Sequence, residues 1–463
     1  MTGDNRKKGK IIAIVFIVLL VFIKTLLRPF GILDELWNYN LCRGVSMGYV
    51  PYRDFGMVMM PLYTMLFALP LIICRKLVVY RIASAVFLAA LVIYFRDLTA
   101  KQTDDLWGTA AAFIFVTFMD ISTYNSLLFL LAMICYSILI GEMTRKRAFV
   151  LGIVCALSIM GRQTSGVFLA LACIGIFSVS AELRKHVAYA AAGGTMILMI
   201  FAGWLLGTSS WDQFWDHCLF ALVSSGDKNS AFYVTSVPVL ILSAAGISAD
   251  IMLWRKKHSR VDICHLIVGL VIASMGIPVV DLMHLFYAGM WFVIPLIKLI
   301  ILSGSSVRSG IVKLIPVLSA AVTMILVLHD ISGCVLDNRF AELQLIPTDK
   351  SFTDTYADIN TVNESYEAQG KRVIFFSCSC CISSILEERF DPPYDLFLTG
   401  NMGTKEPLSY AVEACSDPDC IILIPNDYQT ENWENPKGIS QYVTSHCEPV
   451  DSYGRFVWYR PAA

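Results

Sequence analysis

The chain has 463 residues, of which 56% are apolar and only 16% charged, and its mean hydropathy is +0.62. Soluble domains carry about 25% charged residues, so this composition excludes a soluble protein of this length, as well as disorder, a collagen-like repeat or a small disulfide scaffold. The balance of 36 basic against 37 acidic residues leaves no footprint for nucleic acid. In a polytopic membrane protein the informative quantity is where those charges sit.

The first apolar run, residues 11–27, follows Arg6, Lys7, Lys8 and Lys10. Arg28-Pro29-Phe30 comes next rather than a small-x-small cleavage site, so an uncleaved helix with a cytoplasmic N-terminus is expected. Further spans are expected at roughly 77–95, 105–119, 123–141, 147–161, 166–181, 187–207, 232–252, 261–280, 285–302 and 311–328. Several fall short of the ~20 residues of a perpendicular span. Residues 57–74 are also apolar but contain Pro61 and Pro70. If they crossed, Arg145, Lys146 and Arg147 would fall outside, against the excess of Lys and Arg in cytoplasmic loops. Laid along the outer face, they leave every basic loop inside: Arg96 with Lys101, Arg145 to Arg147, Arg184 with Lys185, Arg255 to Arg260, and Arg308 with Lys313. Eleven spans then place the N-terminus inside and the C-terminus outside.

From about His329 the sequence turns polar. Strand-like runs at 373–376, 420–424 and 456–459 are separated by turn signals at Asp391-Pro392-Pro393, Gly400-Asn401 and Pro425-Asn426-Asp427. The expected fold is therefore mostly α: a polytopic membrane helical bundle over 1–328 with a small extracytoplasmic α/β domain over 329–463. Seven of the 14 cysteines fall among the spans, where a thiol acts as a small apolar group. In the outer domain, disulfides are favoured over metal ligation for the rest, because Cys378-x-Cys380-Cys381 has no paired CxxC or HxxxH.

On this topology the unusual polar residues gather at the outer side. The first outer loop holds Asp34-Glu35, then Gly48-Tyr49-Val50-Pro51-Tyr52-Arg53-Asp54-Phe55, then Pro61-Leu62-Tyr63. A carboxylate can deprotonate an acceptor hydroxyl, an arginine can hold a phosphate, and aromatic faces can stack on a sugar. The plain alternative is that Asp34-Glu35 solvates a helix end while Arg53-Asp54 forms a salt bridge within a turn.

These residues resemble the first outer loop of bacterial C-type membrane glycosyltransferases, more narrowly the RgtA/B/C/D-like and protein-mannosyltransferase-related enzymes. The resemblance covers about the first 170 residues. It implies a multi-helix membrane fold, juxtamembrane helices in this loop, and a polyprenyl-phosphate-linked sugar as donor. The family's catalytic acidic residue falls on Asp34, with Glu35 beside it. Asp120 stands where the family often has a second acid, and its alternative is a helix N-cap. Arg162, in Gly161-Arg162-Gln163-Thr164-Ser165-Gly166, matches a basic residue that the family associates with the lipid phosphate; the alternative is a snorkelling arginine at a helix hairpin. Asp281 and His284 share a helical face and could serve acceptor binding or proton transfer, or be a capped loop with a local hydrogen bond. The Trp211-Asp212-Gln213-Phe214-Trp215-Asp216-His217 loop reads as an interfacial aromatic belt, with a sugar contact as the other option.

The sequence therefore points to a sugar transfer from a polyprenyl-phosphate donor to a glycan, lipid or protein acceptor of the cell envelope, with Asp34 and Glu35 catalytic, Arg162 and Arg53 on the donor phosphate, and Tyr52, Asp54, Asp120, Asp281 and His284 around the substrates. No metal or other cofactor is called for, although a divalent cation is compatible. The rivals are a transporter or flippase of lipid-linked glycan, which would show repeats with helices broken near the midplane, and a non-catalytic envelope glycan-binding protein, whose loop polar groups would be scattered.

Overall fold

The computed structural model describes residues 3–120, 123–221, 231–277, 279–303, 309–390, 403–405, 407–425 and 438–462. The first half is helical: α1 (Gly3–Leu26), α2 (Leu33–Ser46), α3 (Leu62–Ile73), α4 (Leu77–Gln102), α5 (Asp105–Phe118), α6 (Tyr124–Leu139), α7 (Arg145–Gly161) and α8 (Gln163–Val179). There follow α9 (Ala181–Arg184), α10 (Val187–Gly207), α11 (Trp211–Trp215), α12 (Val237–Lys257), α13 (Arg260–Ala273), α14 (Leu282–Leu302) and α15 (Ser309–Asp330). Short strands β1 (Ala231–Phe232) and β2 (Val279–Val280) pair in parallel between them.

Among the described residues, six helices are long and apolar enough to cross a membrane: Lys7–Leu26, Leu77–Gln102, Val187–Gly207, Val234–Lys257, Leu282–Leu302 and Gly310–Asp330. The other expected spans form helices of 14 to 17 residues, α5 to α8 and α13. The 12 residues of α3 rise about 18 Å, less than the ~30 Å of a hydrocarbon core. The span expected over 261–280 is shorter in the structure. α13 stops at Ala273 and passes through a 3-10 turn at Ser274–Gly276 into β2. The buried guanidinium of Arg162 donates to the carbonyls of Met275 (2.7 Å) and Ile277 (3.5 Å), so it satisfies backbone groups of the stretch that follows the helix.

The basic loops meet at one end of the bundle. Lys10 pairs with Asp97 (3.0 Å), Arg260 with Glu182 (3.5 Å), Arg147 donates to the carbonyl of Ser137 (3.1 Å), and Arg260 to that of Leu139 (2.7 Å). Helix α2 lies at the opposite end, where the C-terminal residues pack on it. Those residues form β3 (Val335–Leu336) with β4 (Pro347–Thr348), α16 (Lys350–Glu367), α17 (Cys380–Leu386), α18 (Pro407–Ser416), α19 (Ile439–His446) and a four-stranded sheet. The sheet comprises β5 (Arg372–Phe375), β6 (Cys420–Pro425), β7 (Cys447–Tyr453) and β8 (Phe456–Pro461), in the order β5-β6-β8-β7. Three of these strands are the expected ones. Edge strand β7 escaped notice because it is largely exposed and carries Pro449, so it has neither an apolar run nor a clean alternation. The turn signals at 391–393, 400–401 and 426–427 lie outside the described residues. Asn363 is buried and accepts a hydrogen bond from the Trp458 indole (2.9 Å), so it belongs to the core. In place of the expected disulfides, all fourteen cysteines are thiols, with the sulfurs of Cys415 and Cys447 3.2 Å apart.

Two buried ion pairs hold α2. Glu35 meets Arg81 of α4 through both oxygens, Nε to Oε1 at 2.7 Å and Nη2 to Oε2 at 2.8 Å, with the side chains 1% and 0% exposed. At the other end of the helix, Arg43 pairs with Glu342 (3.2 Å) and donates to the carbonyls of Ser384 (3.1 Å) and Arg389. The ring of Phe390 packs against the bare Cα of Gly44, where a Cβ would lie 2.6 Å from a ring atom. Removing one partner of such a pair strands a buried charge, at a cost of about 3–5 kcal/mol. Arg81→Met is therefore expected to lower the thermal midpoint of the detergent-solubilised protein sharply, and Arg81→Met with Glu35→Leu to recover most of it. A double variant as unstable as the single one would show that the pair's charge is not what matters.

Candidate active site

Asp34 occupies the first turn of α2, after an N-cap residue, Ile32, that offers no side-chain acceptor. A carboxylate there is favoured by the free N–H groups of the helix start. One residue further on, Glu35 is rotated about 100° around the axis and enters the core to meet Arg81. The two adjacent acids thus part company. Both oxygens of Glu35 are taken, whereas half-buried Asp34 has no hydrogen-bond or ion-pair partner for its carboxylate among the described residues.

Around Asp34 stand the ends of several helices. A cavity of about 710 Å³ opens between them, lined among others by Lys24, Arg28, Asp120, Tyr287, His329 and Asp330. Lys24 Nζ donates to the terminal carbonyls of α5, Val116 (3.1 Å) and Thr117 (2.6 Å). Arg28 forms an ion pair with Asp120. Asp120 is therefore not a helix cap; Thr123 caps α6, in a reciprocal box with Ser126. Asp281 does cap α14, accepting from the His284 backbone N–H (2.7 Å) and facing its Nδ1 with both oxygens at 2.8 Å. The tautomer with the proton on Nδ1 makes that contact and leaves Nε2 as the ring's open nitrogen.

Burial, followed by the charges of Asp120 and Asp281, raises the Asp34 carboxyl above the usual range, while His284 and Arg28 pull it partly back. Against the effect of burial, hydrogen bonds from His284 hold Asp281 below that range. The site thus contains one carboxylate that is more basic than normal and one kept ionised.

Asp34, Asp120, Asp281 and His284 are accordingly brought together. Arg162 stands behind them. It is 7% exposed, bonded to Asn125 and the carbonyls after α13, and lies over the Tyr124 ring, 5.6 Å from its centroid. Tyr52, Arg53 and Asp54 join a different cluster. Tyr52 is buried edge-on to Phe214 (5.2 Å) and bonds the Met59 carbonyl (2.6 Å). Arg53 grips Asp54 through two 2.8 Å bonds in an exposed turn, the local salt bridge weighed above. Phe214 of the aromatic loop packs on Tyr52, and Asp216 accepts from the Thr404 backbone N–H (3.1 Å) and hydroxyl (2.5 Å), so that loop serves as a brace to the C-terminal residues. Lys24, Arg28 and Arg81 were missed in the sequence. Each is a cation inside or at the end of an apolar run, a costly placement that signals a partner. Among the described residues, the ligand atoms that converge closely enough to share an ion are the thiols of Cys135, Cys155 and Cys173, within the bundle rather than at this site.

No family model and no curated protein sequence matches the chain. Its helical bundle has the fold of the C-type membrane glycosyltransferases. In particular, it is similar to ArnT from Cupriavidus metallidurans in the apo state, with a TM-score of 0.62, 12% identity and 98% of each chain covered. It is similar to the same protein bound to undecaprenyl phosphate, with a TM-score of 0.56 at 12% identity and 98% of each chain. The Archaeoglobus fulgidus oligosaccharyltransferase, in a complex with Zn and sulfate, aligns over 96% of this chain and 73% of its own, with a TM-score of 0.52 and 12% identity. At such identities the likeness is one of fold.

Two substitutions should move the titration of Asp34 in opposite directions. Asp120→Asn removes a repelling carboxylate and is expected to shift it down toward the ordinary range; His284→Gln removes an attracting group and is expected to shift it up. The carboxyl band in pH-resolved infrared spectra of the purified protein, assigned by its loss in Asp34→Asn, measures both. A band unmoved by either change would remove these charges from the account.

Proposed function

We propose that this membrane protein is an inverting C-type glycosyltransferase working at the extracytoplasmic membrane–water interface on a polyprenyl-phosphate-linked sugar. The observation that carries the reading is Asp34: a half-buried carboxylate of raised basicity, unpaired among the described residues, close to a cavity walled by Lys24 and Arg28. In this scheme Asp34 takes the proton from an acceptor hydroxyl as that oxygen attacks the anomeric carbon. The bond from that carbon to the phosphate oxygen breaks, and polyprenyl phosphate leaves as an anion. Such a leaving group needs no proton, so a single carboxylate suffices, whereas glycoside hydrolysis typically uses two. Arg28 and Lys24 stand where the departing phosphate would gain most from positive charge. Arg162 fixes the α7–α8 hairpin and the Tyr124 wall behind them. Glu35 serves as the anchor that orients Asp34, and Arg53 lies outside this arrangement.

The sidedness rests on the basic loops gathered at the other end of the bundle, which mark a cytoplasmic face. A lipid-linked donor is supported by the ArnT structure bound to undecaprenyl phosphate and by the archaeal oligosaccharyltransferase in complex with an inhibitory peptide and a dolichol-phosphate. Convergence of the acids and cations on one cavity, rather than along a path through the midplane, favours transfer over transport. The acceptor belongs to the cell envelope, whether glycan, lipid or protein, and residues 329–463 would form its side of the site.

The test replaces the protein in a strain lacking it by Asp34→Asn. Removal of a general base is expected to cut transfer about 10²–10⁴-fold, read as loss of one defined sugar from the envelope glycans while the protein remains folded and inserted. Full activity of Asp34→Asn would sink the mechanism. Only the ionised carboxylate accepts the proton, so wild-type activity should fall as pH falls through the raised Asp34 value, earlier than an ordinary carboxylate would dictate.

A further inference from the structure

At the end of the bundle away from Asp34 lies a second cavity, of about 370 Å³. Its walls are the ends of α4, α6 and α14 with the α12–α13 turn, and the described charged groups that face it are Lys101, Lys257, Lys298 and Asp262. Asp262 is buried and neutralises Lys298 at 2.5 Å. Lys298 also donates to the Gln102 side-chain oxygen (3.4 Å). Lys101 and Lys257 have no ion-pair partner among the described residues and stand exposed at the rim. The remainder of the wall includes Leu98, Ile140, Leu253 and Leu302. An uncompensated charge of two and an apolar wall therefore meet where the helices end.

We infer that this cavity binds the headgroup of an anionic glycerophospholipid. Its phosphate would sit between Lys101 and Lys257, and its glycerol and upper acyl carbons would lie along the leucines. A basic pocket between transmembrane helices suits this ligand: phosphate alone satisfies the lysines, but only a lipid also covers the apolar wall. The inference is independent of the transfer reaction, since the cavity shares no residue with the cluster around Asp34.

The test uses the full chain reconstituted in phosphatidylcholine vesicles containing phosphatidylglycerol, then extracted and weighed by native mass spectrometry. The wild type should retain phosphatidylglycerol and not phosphatidylcholine. The Lys101→Gln, Lys257→Gln double variant should lose about thirtyfold in retention with an unchanged thermal midpoint, because neither lysine supports the fold through an ion pair. Excess inorganic phosphate should leave the lipid in place. Equal retention by variant and wild type, equal retention of phosphatidylcholine, or displacement by inorganic phosphate would each overturn the assignment, the last in favour of a soluble-anion site.

Discussion

The site depends on one guanidinium. Arg81 projects from α4 into a fully buried position, where an unpaired charge would be untenable, and collects both oxygens of Glu35 together with the carbonyls of Leu26, Arg28 and Pro29. Those carbonyls belong to the end of α1 and the connection that follows, while Glu35 belongs to the start of α2. A single side chain therefore fixes the turn between the two helices, and with it the placement of Arg28 and Asp34. The cost of burying the charge is met only when all of these groups are in register, so the pair specifies geometry more than it adds stability.

A second brace works from the other end of the same helix. Arg43 ties α2 to Glu342 and to the carbonyls around α17, Trp37 donates to the Cys378 carbonyl (2.8 Å), and Phe390 fills the space above Gly44. The helix bearing Asp34 is thus clamped between the membrane bundle and the C-terminal residues. A reacting group held by packed helices and buried hydrogen bonds keeps its direction better than one on a loop. The α2 segment, too polar to cross a membrane, is a rigid mount for Asp34, and the connection before it, from Arg28 to Ile32, lines the cavity.

Much of this was legible in the chain. Apolar runs bounded by Lys and Arg predicted the helices within a few residues, because in lipid a backbone must satisfy its own hydrogen bonds and helices do so locally. The acids at 34, 120 and 281 and the histidine at 284 were legible because charge is scarce here and each instance needs a reason. The failures are equally physical. The span expected over 261–280 ends early, at Ala273, and Arg162, more than a hundred residues upstream, supplies donors to the carbonyls of Met275 and Ile277 in the non-α-helical stretch that follows. Tyr52, Arg53 and Asp54 sit near Asp34 in sequence but turn away, because Tyr52 finds its partners in Phe214 and Cys218, over 160 residues later.

Sequence by itself determined the membrane class, the distribution of basic loops, the change to an α/β segment near residue 329 and a short set of candidate residues. These follow from local composition and periodicity, which need no knowledge of distant contacts. Only the tertiary structure decided which of two adjacent carboxylates is free. Asp34 and Glu35 have the same chemistry and nearly the same position, and no local rule separates them. One turns toward Arg81, forty-six residues away in the chain, and is consumed by it; the other is left without a partner among the described residues, its basicity raised by burial and then by the charges of Asp120 and Asp281.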